Sequence, residues 1–154
     1  MAANEKLLKM LAGKKLKIKK FIKLEAIVGD KKITALNDVI IAHKFPDLAI
    51  RFTLDASKEF IGDGLVFSTP FGSTGYFYSI TKKTFKTGFG IAFNNLHNAN
   101  IHEKIVDENE EIKIVILRGQ TVLASDNDPH LLDLPESAEI LVRRAPQPAR
   151  LLLP

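Results

Sequence analysis

The chain has 154 residues, 45% hydrophobic and 26% charged, with a net charge of +4 and no cysteine. That is the length and composition of one globular domain, and the lack of cysteine excludes disulfides and thiolate-ligated metal or redox centres and fits a cytoplasmic setting. No apolar run approaches the roughly 20 residues that cross a bilayer, and the polar, lysine-rich start has no signal-peptide core, so no membrane role and no secretion are expected.

Leu7, Leu8 and Leu11 are spaced as one helical face, which predicts a short helix over Glu5–Leu11 stopped by Gly13. From Leu16 the period changes to two. Leu16, Ile18, Ile22, Leu24, Ala26 and Val28 fall on one face, interrupted only by Lys20, and mostly charged residues fall on the other, with Phe21 and Ile27 as exceptions, predicting one long strand with a single buried face. Gly29-Asp30 is a turn signal, and Ile33–Leu36 returns as the second arm of a hairpin. Further strands are predicted at Val39–Ala42, Ala49–Leu54, Leu65–Ser68, Glu111–Leu117, Thr121–Ser125, Glu139–Arg143 and Arg150–Leu153. Turns punctuate them at Phe45-Pro46-Asp47, Asp55–Lys58, Arg118-Gly119-Gln120 and Asp126–Pro129. The stretch Ser73–Lys83 can hold a short helix capped by its Ser and Thr side chains. Short strands with little helix predict a mainly β domain over residues 1–154, a two-sheet, β-sandwich-like fold with one or two short helices.

The positive charge belongs to one end. Residues 1–44 hold eleven lysines against four acids, and the remainder holds eleven basic against fourteen acidic side chains. The lysines between 14 and 23 read either as the wet face of the long strand or as a field for phosphate, of a dinucleotide or of a nucleic acid. Phe21 is the sole aromatic ring among them, which disfavours the stacking platform of a single-strand binder.

Residues 60–79 carry the most information. Gly62 and Gly64 flank Asp63, Leu65–Phe67 runs inward, and Pro70 ends the strand. Gly72-Ser73-Thr74-Gly75 then offers exposed amides and two hydroxyls, and Tyr76 supplies a flat ring. A carboxylate that can accept from ribose hydroxyls or a base amine, a loop open to close approach and a ring that can stack suit a nucleoside. Composition alone equally describes a surface turn before a capped helix.

The order of residues decides between these. Gly62-Asp63-Gly64-Leu65, Ser68-Thr69-Pro70, Gly72-Ser73-Thr74 and Tyr76 strongly resemble the signature of the NAD kinase family. Ala35-Leu36-Asn37-Asp38-Val39 and the tail Val142–Leu151 resemble two further segments of that family, in the same chain order. The resemblance implies the family's second, C-terminal β domain, with NAD or NADP as ligand. It assigns Asn37 and Asp38 to the adenosine, Asp63 to the dinucleotide, Ser73, Thr74, Gly75 and Tyr76 to the loop and base pocket, and Ser79 to the nicotinamide end. It also implies a homo-oligomer in which neighbouring subunits help to build the site.

There are departures. Phe71 stands where Thr or Ser is usual, Gly75 replaces Ala, Gln147 replaces His, and Gly88 and Gly90 only approximate a Gly-Gly-Pro. The family's Gly-Gly-Asp-Gly-Thr motif, which belongs to an N-terminal α/β domain and serves phosphoryl transfer, has no counterpart in these 154 residues. No catalytic residue is therefore assigned, and ATP and a divalent cation are expected only with a separate kinase half as partner. Three readings stay open: the second domain of an NAD kinase, a stand-alone dinucleotide-binding or scaffold module, and a nucleic-acid binder using the lysine-rich strand. The four histidines, His43, His97, His102 and His130, show no metal-site spacing, and Asp126–His130 reads as a β-turn rather than a cation loop, so no metal ligands are assigned.

Overall fold

The computed structural model describes residues 2–13 and 15–153. Helix α1 (Ala2–Ala12) precedes β1 (Lys17–Phe21), β2 (Leu24–Val28) and β3 (Lys31–Ala35). Next come β4 (Asp38–His43), β5 (Ile50–Leu54), β6 (Phe60–Gly62) and β7 (Gly64–Ser68). A 3-10 turn (Gly72–Thr74) leads into α2 (Tyr76–Thr81), followed by β8 (Phe89–Asn94) and β9 (Glu103–Val106). The chain closes with β10 (Glu111–Arg118), β11 (Thr121–Ser125), β12 (Leu132–Leu134), β13 (Glu139–Arg144) and β14 (Ala149–Leu153).

Two six-stranded antiparallel sheets face each other, one in the order β3-β2-β13-β10-β5-β6 and the other β12-β11-β4-β7-β8-β9. Alternation builds the core between them. Ile112, Ile114 and Ile116 of β10 point inward while Glu111 and Lys113 point out, and Leu24 and Ala26 of β2 do the same from the neighbouring row. The predicted mainly β, two-sheet fold is thus what forms, with two short helices.

Strand β7 is buried on both faces. Leu65 and Phe67 enter the core, while Val66 meets Phe77 of α2 on the outer side. Helix α2 rests on that outer face because β8 has Gly90 there: a Cβ at Gly90 would come within 2.6 Å of both the Phe77 and Phe85 rings. Those rings pack edge-on, 5.0 Å apart. Strand β8 was not predicted, because a glycine in mid-run weakens the strand signal.

The long strand expected over Leu16–Val28 is broken at Ile22-Lys23. Its second half is β2, with Leu24, Ala26 and Val28 directed to the core as expected. Its first half, β1, leaves the body and pairs antiparallel with β14 as a separate two-stranded ribbon, Lys17 opposite Leu153 and Phe21 opposite Ala149. Most ribbon residues are exposed, so the predicted buried face does not extend to Ile18. The lysines are the side chains of a free ribbon rather than the wet side of a packed strand.

One ionic row crosses the first sheet. Arg143 lies directly opposite both Glu111 and Glu25 on the flanking strands. Its Nε donates to Glu25 Oε1 at 2.9 Å and its Nη1 to Glu111 Oε1 at 2.7 Å. Glu111 first and then Glu25 hold the guanidinium pKa above its ordinary value. Glu25 is 1% exposed, and the Arg143 contact together with Lys32 Nζ, 3.4 Å from Glu25 Oε2, permits a buried carboxylate there.

Candidate functional site

The Gly62-Asp63-Gly64 segment is the corner where the chain changes sheets, since β6 pairs with β5 in one sheet and β7 with β4 and β8 in the other. Both glycines answer a steric demand. A Cβ on Gly62 would sit 2.9 Å from the Asn95 carbonyl oxygen, and one on Gly64, at φ +148°, would sit 2.0 Å from that of Ile41. The Asp63 backbone N–H donates to the Asn94 carbonyl at 3.0 Å, and its carbonyl accepts from the His43 N–H at 3.1 Å. Its carboxylate Oδ2 accepts from Asn95 Nδ2 at 3.1 Å.

From that corner β7 delivers Ser68-Thr69-Pro70 to the segment just before β4. Thr69 Oγ1 donates to the Leu36 carbonyl at 2.6 Å and accepts from the Gly72 N–H at 3.1 Å. The Thr69 N–H donates to the Asn37 carbonyl at 2.9 Å. Gly72 lies flat on the Asn37 backbone, where a Cβ would be 2.2 Å from the carbonyl oxygen. The hydroxyls and glycine of the signature thus clamp Asn37 and Asp38 against the loop that follows.

A third segment completes the clamp. Asp126, in the turn after β11, accepts three backbone N–H groups: Leu36 on Oδ2 at 3.0 Å, and Asn37 and Asp38 on Oδ1 at 2.7 and 3.1 Å. The Asp126 N–H donates back to the Asp38 carbonyl at 2.9 Å. Asp126 adopts a left-handed φ of +48°, which Asp tolerates better than most side chains. Sequence reasoning took it for part of a turn, which it is, and missed that its carboxylate organises the site. An Asp heading a turn was the available signal.

These segments enclose a cavity of about 430 Å³ lined by Asn37, Asp38, Thr74, Gly75, Tyr76 and Asp126, with Ile40, Phe71, Gly72 and Asn127 completing its wall. Five of the eight predicted site residues meet there although 35 or more positions separate Asn37 and Asp38 from Thr74–Tyr76. Asp38 is 7% exposed. Burial first, and the neighbouring Asp126 charge second, push its carboxyl up to about 6. Tyr76 is 39% exposed, and its hydroxyl accepts from Asn94 Nδ2 at 3.4 Å.

The other three predicted residues lie outside the cavity wall. Asp63 sits at the sheet-switching corner, linked to the Tyr76 end through the neighbouring Asn94 and Asn95. Ser79 is exposed on α2 and donates to the Tyr76 carbonyl at 2.7 Å. Ser73 is buried, donating to the carbonyls of Pro70 at 2.9 Å and Phe85 at 3.4 Å; its hydroxyl ties the loop to the body. Nor do Ser and Thr cap α2 as expected: Gly75 occupies the N-cap with no side-chain hydrogen bond. Among the described residues no group of three or more His, Cys, Asp or Glu side chains is placed to hold a metal ion, and no helix is long and apolar enough to cross a membrane.

No family model matches the chain. It is 26% identical over 165 residues to an NAD kinase of Neisseria gonorrhoeae, an alignment covering 98% of this chain and 55% of that protein. An NAD kinase of Clostridium botulinum is 28% identical over 166 residues, covering 95% of this chain and 56% of the relative. The chain therefore spans about half the length of the curated relatives it matches. Yeast NADH kinase complexed with NADH superposes on 97% of the chain with a TM-score of 0.84 and 18% identity, over 48% of its own length. An NAD kinase from Archaeoglobus fulgidus in complex with ATP superposes on 95% of the chain with a TM-score of 0.75 and 19% identity, over 59% of its own length. Over nearly its whole length the chain is thus similar in sequence to NAD kinases and in fold to the solved NAD and NADH kinases, matching about half of each.

Proposed function

We propose that this domain binds the adenosine half of a nicotinamide dinucleotide and presents its ribose for phosphorylation in an NAD kinase-like protein. The observation that carries the reading is the meeting of Asn37 and Asp38 with Thr74, Gly75 and Tyr76 around one cavity. At about 430 Å³ it lies in the lower part of the roughly 300–1,000 Å³ range of small-molecule pockets, a size suited to a nucleoside. Among the described residues no donor satisfies the Asp38 carboxylate, so ribose hydroxyls would find an acceptor there. Tyr76 offers a face to the base, and Thr74 and Gly75 supply its edges. Asp63 and Ser79 flank this centre and would meet the remainder of the dinucleotide, in part across a neighbouring copy of the chain.

The ligand supplies the chemistry of an alcohol acceptor; the chain binds it, orients it and shields it from water. No side chain here is assigned to the transferred phosphate, so turnover with ATP and a divalent cation is expected only when a half bearing Gly-Gly-Asp-Gly-Thr is present. Calorimetry of the purified chain tests the reading. NAD binds, and Asp38→Ala and Tyr76→Ala each weaken it by roughly 1–3 kcal/mol. Equal heats for wild type and both folded variants would remove these residues from the site. Binding of a single-stranded oligonucleotide with steep salt dependence would instead favour the nucleic-acid reading. The homo-oligomer expectation is tested by light scattering, where a particle of one 17.1 kDa chain would contradict it.

A further inference from the structure

We propose that a separate cavity, where β5 begins and β10 ends, binds a small organic carboxylate with an apolar tail. It measures about 360 Å³, and its walls include Leu48, Ala49, Arg51, Ile61, Arg118 and Glu136. That volume lies near the lower end of the roughly 300–1,000 Å³ range of small-molecule pockets. No residue lines both this cavity and the nucleoside cavity, so the inference stands apart from the proposed function.

An irregularity in the sheet brings the two arginines together. Ile116 of β10 lies opposite Phe52 of β5, and a regular ladder would then set Leu117 opposite Arg51. The register shifts there instead, and Arg118 takes the place opposite Arg51. Like charges directly opposite each other in an antiparallel pair destabilise it, and a bulge re-aims a side chain. The backbone beyond the bulge is tied down. Gly119 follows at φ +105°, and its N–H donates to Glu136 Oε1 at 3.2 Å. The Gln120 carbonyl accepts from the Lys44 N–H at 2.8 Å. On the other side of Arg51, its ladder partner is Ile61 of β6.

The charges and the walls select the ligand. Arg51 Nη1 donates to Glu59 Oε1 at 3.0 Å. Arg118 forms no ion pair among the described residues, so its planar fork is uncommitted and fits an oxyanion by two parallel hydrogen bonds. The acids decide which oxyanion. Glu136 on the wall and Glu59 beside Arg51 repel a doubly charged phosphate twice as strongly as a singly charged carboxylate. Leu48, Ala49 and Ile61 offer the apolar surface that takes a short hydrocarbon tail.

The test uses the purified 154-residue protein, wild type and Arg118→Gln. Isovalerate is the carboxylate probe, isopentanol its uncharged counterpart and inorganic phosphate the rival anion. In an amide NMR titration of wild type, isovalerate shifts Ala49, Ile61 and Gly119 saturably and leaves Asn37, Asp38 and Tyr76 in place. Isopentanol and phosphate bind about tenfold more weakly than isovalerate, and Arg118→Gln loses about tenfold in isovalerate affinity. Isovalerate also raises the urea midpoint of wild type and not that of the variant, and the variant's own cooperative transition shows that it is folded. Shifts at none of the three amides, equal isovalerate affinity in wild type and Arg118→Gln, or phosphate binding as tightly as isovalerate overturns the proposal.

Discussion

Replacing Asp38 by Asn removes a carboxylate that the fold ionises at a cost, and the size of that cost can be worked from the site. The carboxyl titrates at about 6 rather than 3.8, chiefly because it is buried and secondly because Asp126 lies beside it. A shift of about two units corresponds to about 3 kcal/mol of differential stability. The sign follows from proton binding. Between the two values the folded state holds a proton that the unfolded chain has released, so stability falls as pH rises through that window. The penalty is absent below about pH 3.8 and complete above about pH 6. Asn is nearly the same size and cannot ionise. Urea unfolding of wild type and Asp38→Asn, followed by circular dichroism at several values between pH 4 and pH 7.5, should show the variant gaining on wild type by up to about 3 kcal/mol across the range. The intrinsic difference between Asn and a neutral Asp cancels in the comparison. A gap that does not change with pH, or one that closes as pH rises, would refute the reasoning.

Other predictions concern the clamp and the ionic row. Asp126→Ala leaves the N–H groups of Leu36, Asn37 and Asp38 without their acceptor and should cost about 2–4 kcal/mol, read from urea midpoints. Gly72→Ala forces a Cβ to within 2.2 Å of the Asn37 carbonyl oxygen; it should lose about 1–3 kcal/mol of stability and adenosine binding with it, since the collision falls on the segment that presents Asp38. Arg143→Ala leaves the buried Glu25 carboxylate with Lys32 alone, 3.4 Å from its Oε2, and should lower the urea midpoint, while Arg143→Ala paired with Glu25→Gln should recover part of that loss. Ribose hydroxyls favour the ionised form of Asp38, so NAD affinity should rise with pH up to about 6 and then level off. Binding near that pH should release protons, seen as a calorimetric heat that depends on the ionisation enthalpy of the buffer.

Much of the fold was legible because its strands are amphipathic. Strands β10 and β11 and the β2–β3 hairpin follow from alternation and from Gly29-Asp30, whose glycine takes the left-handed φ of +58°. What stayed hidden has local causes. Lys20 interrupts the apolar face of the long alternation and Phe21 falls on the polar one just before the break at Ile22-Lys23, but two residues out of step do not by themselves end a strand. Strand β8 was obscured by Gly90, which is needed under the Phe77 and Phe85 rings and cannot be read without them. At the site, residue identity was easier to read than residue role. Gly62 and Gly64 are demanded by a change of sheet, and Thr69 and Ser73 bond to backbone rather than facing the cavity. Asp126 came from a segment that only the folded chain brings near, so its carboxylate was invisible as a partner of Asp38.

The central claim is that the cavity formed by Asn37, Asp38, Gly75 and Tyr76 receives the adenosine of a dinucleotide. The most direct measurement is a titration of isotope-labelled protein with NAD, followed by amide NMR shifts. The account predicts the largest shifts at Leu36–Asp38 and Gly72–Tyr76, reproduced by adenosine alone. Shifts confined to other parts of the surface, or none at saturating NAD, would contradict it.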